Sequence, residues 1–177
     1  NLAVEYFKTG LNCCQSVVLA FKKETGIDED VLKKLSIGFG GGLGRQRLTC
    51  GAVAGMCMVI SAIKSDGNDK LAVYSLIQSA CKEFKEQTGS LICGELLDEK
   101  TAADKEPKPE ARTENYYKKR PCSEMCRLAD DFKQVSIIRL SRNFGKELAL
   151  CAALENADGD AVLSDGAFAS SLLGKSA

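Results

Sequence analysis

The sequence predicts a mainly α-helical protein, a helical bundle that carries a short C-terminal β-α-β-like appendage. Apolar residues recur at helical spacing over most of residues 1–133, and capping and helix-ending residues bracket these segments. From residue 134 onward the pattern changes to short apolar runs typical of strands. A chain of 177 residues is enough for one domain with a real core plus an appendage. We therefore expect a helical domain over 1–133 and a separate segment over 134–177.

The predicted helices have recognisable boundaries. Asn12 can cap the second helix while Gln15 reaches back to it, as in a capping box. Gly26 ends that helix, and Pro121 suits the start of the last one. The predicted helices cover residues 1–8, 12–23, 28–35, 50–64, 69–87 and 122–133, with a brief helical turn over 90–97.

Two segments between the helices look irregular. Residues 38–44 contain five glycines, which indicates a loop or a close crossing of backbone. Residues 98–120 are rich in both charges and contain two prolines, so we expect a solvated connector. Tyr116 and Tyr117 are its exception, because they could dock on the core or on a partner.

The tail predicts a β-α-β-like unit. Residues 135–140 and 161–163 have the composition of short strands, and residues 144–156 have the apolar spacing of a helix between them.

Composition excludes several classes of function. Lys and Arg number 24 and so do Asp and Glu, so the chain lacks the positive charge that nucleic acid or an anionic membrane attracts. Histidine is absent, which excludes Ser-His-Asp and Cys-His catalysis and any His-ligated metal site. The longest apolar run, residues 51–63, is shorter than the roughly 20 residues that a membrane-spanning helix needs.

Nine cysteines are the strongest compositional signal. An odd number cannot pair fully within one chain, and the sequence is longer and more helical than a secreted disulfide scaffold. No signal peptide is visible at Asn1. We therefore expect reduced thiols and a cytoplasmic protein.

Four cysteines fall in the first turn of a predicted helix: Cys13, Cys50, Cys93 and Cys122. Free amides and the helix dipole there would lower the thiol pKa from about 8.5 into the neutral range. Arg45 and Arg47 would act on Cys50 in the same direction.

The other cysteines look structural. Cys57, Cys81 and Cys151 lie mid-helix on apolar faces, where cysteine behaves as a small hydrophobe. Cys14 is also expected in the core, while Cys126, one helical turn after Cys122, could be a resolving thiol or an extra ligand.

The ordered motifs resemble one family. Asn12-Cys13-Cys14-Gln15-Ser16-Val17, the stretch from Gly38 to Arg45, Cys50-Gly51-Ala52-Val53-Ala54-Gly55, Cys93 and Cys122 are similar to the redox family named for its C, GCAxxG, C, C pattern. The resemblance covers about residues 1–133 and implies a helical domain whose four signature cysteines are Cys13, Cys50, Cys93 and Cys122. It also implies a redox or iron–sulfur role with no defined substrate. Two departures are the order Cys50-Gly51 and the additional thiol of Cys14.

The tail resembles a different family. Residues 137–147 and 157–162 are similar to an internal fragment of a family 2 glycosyltransferase. The metal-binding Asp-x-Asp motif and the first nucleotide-binding strand have no counterpart here, so no transferase activity is expected. A gene fusion or a truncation would explain the segment.

These observations give a functional hypothesis. The four signature cysteines would either ligate an iron–sulfur cluster or another thiolate-bound metal, or cycle between thiol and disulfide. Backbone amides of Gly41, Gly42 and Gly51, together with Arg45, would support the bound group. We expect a partner protein that exchanges electrons, no nucleic acid and no membrane insertion, and self-association stays open. The alternative is a non-catalytic helical scaffold or accessory subunit with structural cysteines.

Overall fold

The structure, a computed structural model, describes residues 1–65, 67 and 70–131. Within these residues the protein is helical and has no strand, which confirms the prediction of a mainly α fold there. The predicted β-α-β-like unit and Cys151 lie outside the described residues. The α-helices are α1 (Leu2–Lys8), α2 (Cys13–Ala20), α3 (Lys22–Thr25), α4 (Glu29–Ser36), α5 (Gly51–Lys64), α6 (Lys70–Thr88), α7 (Glu99–Ala103), α8 (Glu114–Lys119) and α9 (Cys122–Asp131).

Helices α2 and α5 form the centre of the fold. Every residue of α2 is buried, and α2 packs against α1, α4, α5 and α9. Helix α5 also packs against α6 and α9. The first turns of α2 and α5 are therefore enclosed by neighbouring elements.

The start of α2 matches its predicted capping box. The Asn12 side chain accepts from the Gln15 amide at 3.0 Å, and the Gln15 side chain accepts from the Asn12 amide at 3.1 Å. The predicted helix over 12–23 breaks at Phe21, and α3 ends at Gly26, whose φ of 65° is left-handed.

Two glycines four residues apart let α5 approach α2 closely. A Cβ added at Gly55 would lie 2.9 Å from the Cβ of Val17 and 3.0 Å from the Cys14 carbonyl oxygen. A Cβ at Gly51 would lie 3.2 Å from the Cβ of Cys13. Because residues at i and i+4 share one face of a helix, these glycines bring the first turns of α2 and α5 together.

The connector over 98–120 is not simply solvated, as the sequence suggested. It contains α7 and α8. Tyr116 and Tyr117 of α8 pack on the core, which is one of the two docking positions expected for them. The ring centroids of Tyr116 and Tyr117 lie 5.3 Å apart, and that of Tyr117 lies 5.7 Å from Phe7.

Helical spacing in the sequence predicts that Tyr74, Ile77, Cys81 and Phe84 share one face of α6. Tyr74 is wrong as a member of the buried face, because it is exposed; the buried side chains of α6 are Val73, Ala80 and Phe84. No helix within the described ranges combines the length and the apolar character that crossing a membrane requires.

Candidate functional site

A pocket of about 380 Å³ contains the four cysteines that the sequence singled out. Cys13, Cys50, Cys93 and Cys122 all line it, although 109 residues separate the first from the last in the chain. They come from four different segments. The glycine loop and the connector supply other parts of its wall.

Three of these cysteines lie at the start of a helix, and one does not. Cys13 is the first residue of α2, Cys50 is the N-cap of α5, and Cys122 is the first residue of α9 after Pro121. Cys93 lies in an isolated turn that the amide of Leu96 closes by donating to the carbonyl of Ile92 at 3.2 Å. The helical segment predicted over residues 90–97 is thus a single turn, and Cys93 does not lie at the start of a helix.

Backbone pairing holds the segments of Cys50 and Cys93 side by side. The Cys50 amide donates to the Leu91 carbonyl at 2.8 Å, and the Cys93 amide donates to the Leu48 carbonyl at 2.6 Å. Thr49 and Ile92 form an isolated antiparallel bridge between these bonds. A short two-stranded contact therefore fixes the distance between two thiols that are 43 residues apart in sequence.

The glycine loop packs against this pair of segments. Gly42 has a φ of +70°, and a Cβ added there would lie 2.7 Å from the Cβ of Cys93 and 2.9 Å from the Leu48 amide nitrogen. A Cβ at Gly40 would lie 2.6 Å from the side chain of Asn12. The glycines of residues 38–44 predict a close crossing of backbone, which the sequence places beside Cys50. In the structure the closest approaches of Gly40 and Gly42 are to the cap of α2 and to Cys93. Gly41 and Gly51 line the pocket.

The pKa values of the pocket thiols shift opposite to the direction predicted. Burial raises the pKa of Cys50 to about 12. The backbone amides of Ala52 and Val53 act in the opposite direction, although the Cys50 side chain makes no capping hydrogen bond to α5. Burial also raises the pKa of Cys93 against the charge of Arg47. The predicted lowering is wrong because loss of hydration disfavours a thiolate more than the helix amides stabilise it.

The thiols of the pocket contact one another. The hydrogen bond with the thiol of Cys13 is the largest cause that raises the pKa of Cys122 well above its ordinary value, and burial raises it further. For Cys13, the bond with Cys122 lowers the pKa, but the bond with Cys126 and burial outweigh it. Cys126 also donates its thiol to the Cys13 carbonyl at 3.8 Å. Cys126 is thus a buried neighbour of Cys13 behind the pocket wall.

The guanidinium groups of Arg45 and Arg47 bind the connector. The Arg45 guanidinium pairs with Asp104 at 2.7 Å and with Glu110 at 3.5 Å. The Arg47 guanidinium donates to the Asp104 carbonyl at 2.7 and 3.0 Å. Both side chains still line the pocket, so Arg45 is near the predicted position but is already engaged in ion pairs.

Arg112 and Arg120 of the connector are pocket residues that sequence reasoning missed. Their positive charges act to lower the pKa of Cys122. Arg120 is buried and pairs with Glu110, while Arg112 lies over the rings of Phe7 and Tyr116 at 4.7 and 4.4 Å. In the sequence they are two of many charged residues in the connector, and nothing there distinguishes them from its exposed lysines.

One guanidinium nitrogen of Arg112 has no hydrogen-bond partner among the residues that the structure describes. Its Nη2 donates to the Leu11 carbonyl at 3.1 Å, but its Nη1 is buried without a hydrogen bond to any described residue. Arg112 lines the cysteine pocket. A buried donor of this kind favours a ligand that carries negative charge.

The geometry distinguishes Cys13 from its neighbour Cys14. Cys14 does not line the pocket; its sulfur lies 3.7 Å from the sulfur of Met58, and it is completely buried. Cys57 and Cys81 pack against the core and are half-buried. The eight cysteines of the described residues are free thiols.

The donors in the pocket do not form a site for one metal ion. Within residues 1–65, 67 and 70–131, no three Cys, Asp or Glu side chains lie close enough together to hold one ion. Tetrahedral thiolate ligation at about 2.3 Å brings sulfurs to about 3.8 Å from one another. The four thiols therefore share a pocket without forming a ligand set of this kind.

Comparison with known proteins gives one match. A family model described as "Putative redox-active protein (C_GCAxxG_C_C)" matches residues 11–134, well over half of the chain. The matched region contains all four pocket cysteines and ends where the tail begins. No curated protein and no solved structure matches the chain, and the glycosyltransferase resemblance of the tail has no support. The chain therefore belongs to the C_GCAxxG_C_C family.

Proposed function

We propose that this protein is a small electron-transfer protein that binds an iron–sulfur cluster in its cysteine pocket. The observation that carries the proposal is the convergence of Cys13, Cys50, Cys93 and Cys122 on one pocket. Disulfide chemistry uses two thiols, whereas two-iron and four-iron clusters commonly take four thiolates. Because the chain contains no histidine, an all-thiolate ligand set is the simplest metal option.

The volume of the pocket supports a cluster over a single ion. The pocket gives about 380 Å³ of shared volume, and its donors are not gathered as tightly as one ion requires. A cluster places several metal atoms between its protein ligands, so its thiolates surround a larger volume. Cys13, Cys50, Cys93 and Cys122 would each hold one position around it.

The positive charges at the pocket also support an anionic group. A cluster bound by four thiolates carries net negative charge, which Arg47, Arg112 and Arg120 would offset. The unpartnered Nη1 of Arg112 is suited to donate a hydrogen bond to a thiolate or to an inorganic sulfur. Hydrogen-bond donors of this kind stabilise the reduced state of a cluster, because that state carries more negative charge.

The remaining residues would control access and solvation. When bound, the cluster would supply one-electron transfer. Burial of Cys13, Cys50 and Cys93 excludes water from the thiolates. The raised pKa values mean that the thiols release their protons as the metal binds, so loading should be favoured at higher pH.

Anaerobic purification of the full chain tests the proposal. We expect brown protein with broad visible absorption, two or four irons per chain, and an equal amount of acid-labile sulfide. Loss of the colour on addition of dithionite would show that the bound group accepts electrons. Protein that stays colourless and iron-free after anaerobic reconstitution with iron and sulfide would overturn the proposal.

The contact between Cys13 and Cys122 favours a second candidate, a thiol–disulfide centre. One thiolate would attack a disulfide of a partner protein and release one partner thiol. The second thiolate would then close the Cys13–Cys122 disulfide and release the other partner thiol. This candidate predicts an iron-free protein that loses two alkylatable thiols on oxidation by such a disulfide. An iron-free protein whose pocket thiols do not react at all would instead support the scaffold alternative.

A further inference from the structure

A second pair of thiols lies outside the cysteine pocket, between α5 and α6. Cys57 belongs to α5 and Cys81 to α6, the two helices pack together, and the two thiols are near enough for each to shift the pKa of the other. Neither residue lines the pocket. Cys57 is seven residues beyond Cys50, about 10 Å along the helix axis. The proposed function makes no use of this pair.

The pair differs from the other core cysteines in exposure. Both residues are half-buried, whereas Cys14 and Cys126 are completely buried. We therefore expect a small reagent to reach Cys57 and Cys81 more readily than the two completely buried thiols. Exposure and thiolate character together determine which cysteines react.

The contact between the two thiols also favours one order of reaction. It raises the pKa of Cys57 and lowers that of Cys81. Cys81 is thus the thiol that releases its proton more readily, and Cys57 supplies the second sulfur.

We propose that Cys57 and Cys81 form a second redox site, a dithiol that small-molecule disulfides convert into a Cys57–Cys81 disulfide. The Cys81 thiolate attacks one sulfur of a disulfide RSSR, forms a mixed disulfide and releases RS⁻. Cys57 then loses its proton to solvent, attacks the sulfur of Cys81 and displaces the second RS⁻. The two protein thiols lose two electrons and two protons in total, and the small disulfide gains them as two RSH.

The disulfide would connect two helices that lead to the pocket. Helix α5 begins next to Cys50, and α6 ends shortly before Cys93. The cross-link would close residues 57–81 into a loop, which restricts the unfolded chain and stabilises the folded one. Oxidation at this pair would thereby stabilise the scaffold of the pocket without using a pocket thiol.

Peptide mapping after oxidation tests the inference on the full chain. The protein is treated anaerobically with oxidised glutathione, its remaining thiols are alkylated, and a tryptic digest is analysed by mass spectrometry. We expect residues 48–64 and 71–82 to appear as one linked peptide, with fragment ions that place the bond on Cys57. The same treatment should raise the melting temperature by about 5 °C or more.

Cys57→Ala is the decisive variant, and Cys14→Ala is its buried control. The link and the thermal shift should disappear in Cys57→Ala and persist in Cys14→Ala. A link that forms through Cys50, or glutathione adducts that remain on both cysteines without a link, would overturn the inference. Because the test measures a bond and a melting temperature, its result does not depend on whether the pocket holds iron.

Discussion

The side chain of Arg112 makes three separate contacts at the pocket. Its guanidinium lies over the rings of Phe7 and Tyr116, one nitrogen donates to the Leu11 carbonyl, and another is buried without a hydrogen bond to any of the described residues. The ring contacts fix the plane of the guanidinium, so that the free donor has a defined direction. Lysine lacks this planar geometry, and glutamine lacks the charge.

Arg112→Gln should shift the reduction potential of the proposed cluster to a more negative value. Removal of a positive charge destabilises the reduced state more than the oxidised one, and a differential of about 1 kcal/mol corresponds to about 40 mV for one electron. Redox titration of the visible spectrum measures the shift. Arg127→Gln is the control, because Arg127 pairs with Glu124 and Asp131 on the surface of α9. Equal potentials in the two variants would show that Arg112 does not act on the bound group.

Gly42→Ala should destabilise the protein and displace Cys93. The substitution imposes a left-handed φ on alanine and places a Cβ 2.7 Å from Cys93, which together should cost about 2–4 kcal/mol in unfolding free energy. Urea denaturation followed by circular dichroism measures the loss. Gly38→Ala is the matched control in the same loop, because no atom lies within 4 Å of its added Cβ. Similar stabilities for the two variants would contradict the packing described.

At the scale of elements, the approach of α2 to α5 determines the pocket. Gly51 and Gly55 lie on one face of α5 and touch the first turns of α2, so Cys50 and Cys13 are brought to the same place. The Cys-Gly-Ala-x-x-Gly motif therefore has a packing reason as well as a chemical one. Its glycines set the interhelical distance, and its cysteine faces the pocket.

The sign of the stability change in Gly55→Ala tests how closely α2 packs against α5. In an exposed helix this substitution would stabilise by about 1 kcal/mol, since alanine is the better helix former. Here the added Cβ would lie 2.9 Å from the Cβ of Val17, so we expect a net loss of about 1–3 kcal/mol. Chemical denaturation measures it. A gain in stability would mean that α2 and α5 do not pack as closely as the structure has them.

Local sequence signals predicted the helices well, and long-range contacts account for the errors. Asn12 and Gln15 form the predicted capping box because both partners lie within four residues. The role of the connector could not be predicted, since its docking depends on Arg45 and Arg47, which lie more than fifty residues away. The pKa direction was also wrong, because sequence shows helix starts but does not show how deeply they are buried.

The convergence of the cysteines is a property of the whole molecule. Residue types and motif order named Cys13, Cys50, Cys93 and Cys122 as candidates, but no spacing in the sequence required them to meet. The pocket depends on the α2–α5 crossing, the bridge between Thr49 and Ile92, and the start of α9. Each of these is a contact between residues that are distant in sequence.

The pocket thiols should make the iron-free protein less stable at high pH. Their folded-state pKa values lie above the unfolded value of about 8.5, so the folded state holds these protons more tightly. Stability should therefore be full below about pH 8.5 and fall as the pH rises toward about 12. Cys50 alone should account for roughly 2 kcal/mol between pH 8.5 and 10.

Urea denaturation at a series of pH values measures this dependence. Cys50→Ala should show a smaller decline than the original protein over the same range. A stability that stays constant up to pH 10 would contradict the burial of these thiols.

The comparison of Cys13→Ala with Cys14→Ala tests the central claim most directly. The two residues are adjacent and both are buried, but only Cys13 lines the pocket. Iron and acid-labile sulfide per chain are measured for both variants after anaerobic reconstitution, with circular dichroism to verify folding. We predict that Cys14→Ala keeps the full iron content and that folded Cys13→Ala loses most of it. Equal iron contents in the two variants, whether full or absent, would contradict a cluster held by the pocket cysteines.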